Sequence, residues 1–231
     1  RMAEIHGKCA AGFEGVRDAF AANFDRGLDV GASVAVTHNG EFVVDLWGGD
    51  CDANGTPWKE DTIVNVYSTT KTMAATCILM LADRGLVDLY APVAKYWPEF
   101  AQNGKENVLV AHVMGHTAGL SGFDEPTPKD LYDWDDIVGR LAAQAPWWEP
   151  RTASGYHALN QGHLVGEVIR RITGRQLGQY FAEEIAGPLQ ADFHIGLAPA
   201  DEPRVSNVVP PPPLPFDLNT LDPDSPCYKT F

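Results

Sequence analysis

Apolar residues at three- and four-residue spacing open the chain. Phe13, Val16, Phe20 and Phe24 fall on one side of a helix predicted from Glu14 to Arg26, with Gly27 as its stop. Two β-rich runs follow, from Gly31 to Thr37 and from Glu41 to Trp47, around His38-Asn39-Gly40. Asn-Gly between such runs predicts a tight antiparallel hairpin. After Gly48-Gly49 a loop holds Pro57 and Trp58, and Thr62 to Val66 forms a short extended approach. A mostly apolar helix is predicted from Thr69 to Arg84, with Met73, Cys77, Met80 and Leu81 on one face and Gly85 as its cap.

The second half reads as helix and loop. Ala91-Pro92 suits the start of a short helix ending near Tyr96, and Val108 to Met114 a second one that runs into the glycine-punctuated turn Gly115 to Leu120. Lys129 to Gln144 keeps helical spacing through Leu131, Trp134, Ile137, Val138 and Leu141. Another helix is expected to start at Ser154-Gly155-Tyr156-His157 and stop at Gly174. One more is expected from Gln176 to Ile185, ended by Gly187-Pro188. Phe193 to Leu197 suits a strand, and the four prolines Pro210 to Pro213 a polyproline II segment. A lone two-stranded hairpin is not a stable sheet. Further strands are therefore expected after residue 231, or on a second chain that completes the fold.

Composition narrows the function classes. Hydrophobic residues make up 45% of the 231 positions, as in a globular protein, and the net charge is -14 from 31 acidic and 17 basic residues. That charge disfavours nucleic acid and anionic membrane as partners. The N-terminus shows no apolar leader, so the expectation is a cytoplasmic protein or one whose leader has been removed. Cys9, Cys51, Cys77 and Cys227 are scattered without C-x-x-C spacing, which disfavours a zinc or redox site.

The candidate chemistry centres on Ser68 and Lys71. A serine hydroxyl needs a base beside it to act as a nucleophile. Residues i and i+3 share a helix face, so Lys71 can reach the Ser68 oxygen. S-x-x-K is a motif of penicillin-recognising serine enzymes. Spacing alone leaves open an ordinary amphipathic helix capped by Ser68. A lysine on so apolar a helix is costly, however, unless it finds a partner.

Other constellations carry less. Gly119-Leu120-Ser121-Gly122-Phe123 lacks the last glycine of a nucleophile elbow. His112 and His116 are four apart, but Val113 stands where a zinc protease needs glutamate. Asp133, Asp135 and Asp136 read as an acidic helix start. Trp147 and Trp148 either line an acyl pocket or pack a loop.

Residues 44–200 resemble the serine β-lactamase and penicillin-binding-protein superfamily, and within it the family VIII carboxylesterases, which share the class C β-lactamase fold. The resemblance rests on Asp45 to Gly49, Tyr67 to Lys71, His116 to Leu120 and Tyr156 to Gly162 running on to Gly166-Glu167. It implies an α+β, β-lactamase/transpeptidase-like fold, with an antiparallel sheet flanked by helices plus a mainly helical domain. Residues 1–85 would form the N-terminal part of the α/β domain and 86–200 the helical domain. Residues 201–231 would be a proline-rich loop leading to strands this chain lacks.

The same resemblance implies Ser68 as the acyl-accepting nucleophile, Lys71 as its base and Tyr156 as the phenol that shuttles the leaving-group proton. Tyr67, His157 and Trp148 are the candidates for substrate contact. The implied partner is a small short-chain ester, with no metal or organic cofactor. Two departures matter. Tyr156-His157-Ala158 lacks the asparagine of the class C Tyr-x-Asn, which ranks esters above β-lactams. Nothing after Tyr156 matches the family's third motif, and Trp47-Gly48-Gly49 lies too early to serve. A β-lactamase, a D-alanyl peptidase, an acyltransferase and a non-catalytic binding module remain as alternatives.

Overall fold

The computed structural model describes residues 3–210 and 217–230. Pro211 to Pro213 of the expected polyproline segment lie outside the described residues. The rest falls into two compact units, one from residues 3–66 and 197–210, the other from 67–196 and 217–230.

The first unit is built on a sheet of three strands, not two. Strand β1 (Ile5–Cys9) pairs antiparallel with β3 (Glu41–Gly49), which also pairs antiparallel with β2 (Gly31–His38), giving the order β1-β3-β2. The β2–β3 turn is as the sequence predicts. Asn39 (φ 52°) and Gly40 (φ 83°) both adopt the left-handed conformation that a tight hairpin needs. Strand β1 escapes pattern reading because Ile5-His6-Gly7-Lys8-Cys9 has no β-branched run. Its Gly7, opposite Leu46, sits where a Cβ would come 2.0 Å from the Asp45 carbonyl oxygen. The sheet buries Val44 and Leu46 against Phe20 of helix α1 (Glu14–Asp25), with Phe13, Val16 and Phe24 packed around them. A short strand β4 (Ile63–Val64) pairs in parallel with β5 (Val205–Ser206), and the Ser206 hydroxyl donates to the Cys51 carbonyl at 3.0 Å.

The second unit is helical and holds the larger core. Helix α2 (Thr70–Asp83) buries Ala74, Cys77, Ile78 and Leu81. It ends as predicted at Gly85 (φ 71°), where the Gly85 and Leu86 amides donate to the carbonyls of Ala82 and Leu81, both at 2.9 Å. Helix α5 (Gln161–Thr173) packs against it, and α3 (Val110–Met114) and α4 (Trp134–Ala143) pack in turn against α5. Only one turn, Val93–Lys95, forms after Pro92. Helix α4 starts five residues later than the spacing suggests, because the Asp133 carboxylate caps it by accepting the Asp136 amide at 3.2 Å. Buried Glu167 ties α5 to α4. It accepts from Trp134 Nε1 at 2.8 Å and from Arg170 and Arg171 at 2.7 Å and 2.6 Å.

Four expectations are corrected here. Helix α5 begins at Gln161, and residues 154–157 before it are irregular. Gly187-Pro188 does not end the following helix. Helix α6 (Leu177–Phe181) passes through a wide π turn, Ala182–Ala186, into α7 (Gly187–Leu189). The Gly187 amide reaches back five residues to Ala182, a looser ladder into which a proline without an N–H fits. Phe193 to Leu197 forms no strand; Phe193 packs edge-on against Phe181 at 5.6 Å instead. A further helical turn, α8 (Pro226–Thr230), stands where only loop was expected, and Thr230 shares a 2.7 Å hydroxyl contact with Ser121. Among the described residues no helix is long and apolar enough to cross a membrane.

Candidate active site

Ser68 lies in a single 3₁₀ turn, Tyr67–Thr69, that feeds directly into α2. The turn brings it onto the same side as Lys71, one helical step on. Lys71 Nζ donates to Ser68 Oγ at 3.2 Å. The backbone just before the hydroxyl is strained: Tyr67 has φ 45°, a conformation that a bulky residue adopts only when its surroundings impose it. The Tyr67 ring is 65% exposed and Ser68 is open to solvent, so a ligand can approach both.

Tyr156 comes from a loop 85 positions downstream, not from a helix start. Lys71 holds that loop from one side, donating to the Ala158 carbonyl at 2.8 Å, and its ammonium stands 4.9 Å from the Tyr156 ring centre. Hydrogen bonding with Ser68 holds the Tyr156 phenol below its ordinary pKa. Burial opposes this as the next largest effect, and the Lys71 hydrogen bond and charge, each smaller than burial, lower it further. A serine hydroxyl, an amine and an acidified phenol thus share one cluster.

The turn Gly115 to Leu120 holds the loop from the other side. His116 Nδ1 accepts the His157 amide at 3.0 Å, and the His116 carbonyl accepts the Gly155 amide at 3.0 Å. Its ring lies 4.7 Å from that of Tyr156. His157, offered by the sequence as a substrate contact, is fully buried. Its Nε2 accepts the Leu120 amide at 3.2 Å, so its Nδ1 carries the proton and donates to the Gly155 carbonyl at 2.5 Å. Burial pushes its pKa down to about 4; the Gly155 contact opposes this, and His116 adds to it. His157 is therefore a neutral buried brace of the loop. Asn160 adds another, donating to the carbonyls of Leu120 at 2.7 Å and Gly122 at 3.2 Å.

Trp148 packs on the same loop. Its Nε1 donates to the Ala153 carbonyl at 3.0 Å, and its ring approaches Gly155 so closely that a Cβ there would fall 2.5 Å from it. Trp147 donates to Asp124 at 2.7 Å. His112 is occupied locally, its Nδ1 accepting the Leu109 amide at 3.0 Å. Among the described residues no group of three His, Cys, Asp or Glu side chains is placed to hold a metal ion. Sequence reading set His116 aside as half of a zinc-like pair. Its place in the His116 to Leu120 segment was the available sign that it belongs near Tyr156.

Known proteins share this sequence and this arrangement of elements. The esterase/beta-lactamase LipL of Mycobacterium tuberculosis is 43% identical over 210 residues, covering 90% of this chain and 49% of LipL. Esterase EstB of Burkholderia gladioli is 30% identical over 191 residues, covering 73% of this chain and 48% of EstB. The crystal structure of a family VIII carboxylesterase superposes with a TM-score of 0.85 at 53% identity, over 89% of this chain and 57% of that one. A penicillin-binding-protein homologue from Caulobacter crescentus superposes at 0.89 with 42% identity, over 92% of this chain and 58% of that one. The chain spans about half the length of the curated relatives it matches. Residues 20–228 match the Beta-lactamase family, a stretch that takes in Ser68, Lys71, His116 and Tyr156 together, and with that match the chain belongs to the Beta-lactamase family.

Proposed function

We propose that the protein is a serine hydrolase that cleaves small carboxylic esters through an acyl-enzyme on Ser68. One observation carries the reading: Lys71 Nζ bonds Ser68 Oγ at 3.2 Å while Tyr156, its phenol acidified, lies against both. In this reading Ser68 Oγ attacks the ester carbonyl and passes its proton to the Lys71–Tyr156 pair. The pair returns that proton to the departing alcohol. Water then attacks the acyl-enzyme and loses a proton to the same pair; the Oγ–acyl bond breaks, the pair hands that proton to Ser68 Oγ, and the acid leaves with the hydroxyl restored. Both groups stand at Ser68, so the base is assigned to the pair.

Esters are favoured over β-lactams because position 158 is alanine. Its contribution to the site is a backbone carbonyl that accepts from Lys71, with no side-chain amide to contact a β-lactam. The test is labelling by a fluorophosphonate, read by intact mass, alongside hydrolysis of p-nitrophenyl acetate and nitrocefin. A single adduct on Ser68 and ester turnover above nitrocefin turnover support the proposal. No adduct and no turnover would overturn it in favour of a binding module.

A further inference from the structure

We infer that His116, as a neutral imidazole, is the positioning residue that sets the Tyr156 phenol against Ser68 and Lys71. The inference rests on the ester-hydrolase reading of that cluster. Tyr156 sits in an irregular segment with no helical ladder to fix it, and its ring is 44% exposed. Something outside the segment must hold it. His116 does so at two levels. Its carbonyl receives the amide of Gly155 and its Nδ1 the amide of His157, the residues on either side of Tyr156. Between those two bonds its ring lies 4.7 Å from the Tyr156 ring at 50°.

The backbone at His116 pays for this placement with φ 60°, a left-handed conformation that is strained for a non-glycine residue. Relieving that strain with glycine would lose the ring and its acceptor. Such strain is expected where a side chain must be aimed.

The neutral form is required. Nδ1 accepts a hydrogen bond only when it carries no proton, so protonation would set two donors face to face and release the loop. The titratable groups around His116 are Lys71 of α2, Tyr156 and His157. His157 is itself neutral, and burial together with the Lys71 charge lowers the His116 pKa below the ordinary histidine range. Acid therefore reaches the site through His116: as it protonates, Tyr156 is freed.

Two substitutions test this. His116→Gly removes the ring and suits φ 60°, so the backbone is not put at risk. His116→Asn also tolerates the left-handed conformation and keeps a side-chain acceptor near the Nδ1 position. The expected result for His116→Gly is a fall in kcat of roughly 10- to 100-fold with little change in KM, as for a misplaced catalytic group. The Tyr156 phenol, read as the ultraviolet titration difference against Tyr156→Phe, should move back up towards the ordinary value. His116→Asn should recover most of kcat, and the acid limb of its kcat profile should move to lower pH, towards that of His157, since position 116 no longer has an imidazole to protonate. Unchanged kcat and unchanged Tyr156 titration in His116→Gly would overturn the inference. If His116→Gly fails to fold, an acid limb in His116→Asn at the wild-type pH overturns it equally. The phenol titration needs no turnover, so it reads His116 even if the ester assignment fails.

Discussion

The turn that carries Ser68 and Lys71 and the loop that carries Tyr156 are made in opposite ways. In the turn, Ser68 and Lys71 are three residues apart and helix geometry alone brings the side chains together. In the loop, the local bonds from the Ala158 amide to the Tyr156 carbonyl and from His157 to the Gly155 carbonyl build no regular element, and Tyr156 depends on remote partners. It is held by His116, by Lys71 through Ala158, and by His157 and Asn160 reaching the backbone of Leu120. A site half of whose parts are positioned by local geometry and half by remote braces should fail differently at each half. Damage to the first removes chemistry and leaves the fold. Damage to the second weakens fold and chemistry together.

The sharpest break of that comparison is Ser68→Ala. The residue is exposed and its hydroxyl bonds Lys71 and Tyr156 of the site, not the core, so ester turnover should fall by more than about 10³-fold while the urea midpoint stays put. A variant that lost stability as well would show the turn to be braced after all.

The loop side has a pH signature. The folded pKa of His157, about 4, lies below its unfolded value near 6.5, so the unfolded chain binds the extra proton between those pH values. The stability contributed by this group is fully present above pH 6.5 and is lost as pH falls to 4, by about 3 kcal/mol at most. Urea melts of wild type and His157→Phe at pH 7 and pH 4.5 should show the wild-type advantage shrinking with acid. An advantage that is constant with pH would remove His157 as the brace.

At pH 7 that same substitution leaves the Leu120 amide without its acceptor and should cost about 2 kcal/mol, with reduced ester turnover alongside. Full turnover in a destabilised His157→Phe would separate loop integrity from Tyr156 placement.

The smallest effect sharpens the local side. Gly85→Ala forces a Cβ onto φ 71° and should cost about 1 kcal/mol in thermal melting, with turnover unchanged, because the strain stays at the far end of α2.

Legibility in the sequence follows the same division. The β2–β3 hairpin, the amphipathic helix α1, the stop of α2 at Gly85 and the stop of α5 at Gly174 were readable, because each depends on residues a few positions apart. Strand β1 was not readable. Its five residues become a strand by hydrogen bonding to β3, and its glycine is required by a carbonyl that lies 38 positions away. The late start of α5 is of the same kind. The amides of Gly155 and His157 are taken by His116, which draws residues 154–157 into an irregular path ahead of the helix. The continuation past Gly187-Pro188 depended on a π turn, which periodicity does not encode.

For this chain, the sequence by itself determined the Ser68–Lys71 pair, the helices with clear apolar stripes and the turns with a demanding glycine. Each is short-range, and φ/ψ limits and side-chain spacing settle it. Tertiary structure alone decided that the sheet has a third strand, that His157 faces inward as a brace and that His116 reaches Tyr156. Those outcomes depend on which buried amide finds which acceptor across 40 or so residues. An unpaired buried amide is costly enough to override local preference, and the pairing is not written in any one stretch of the chain.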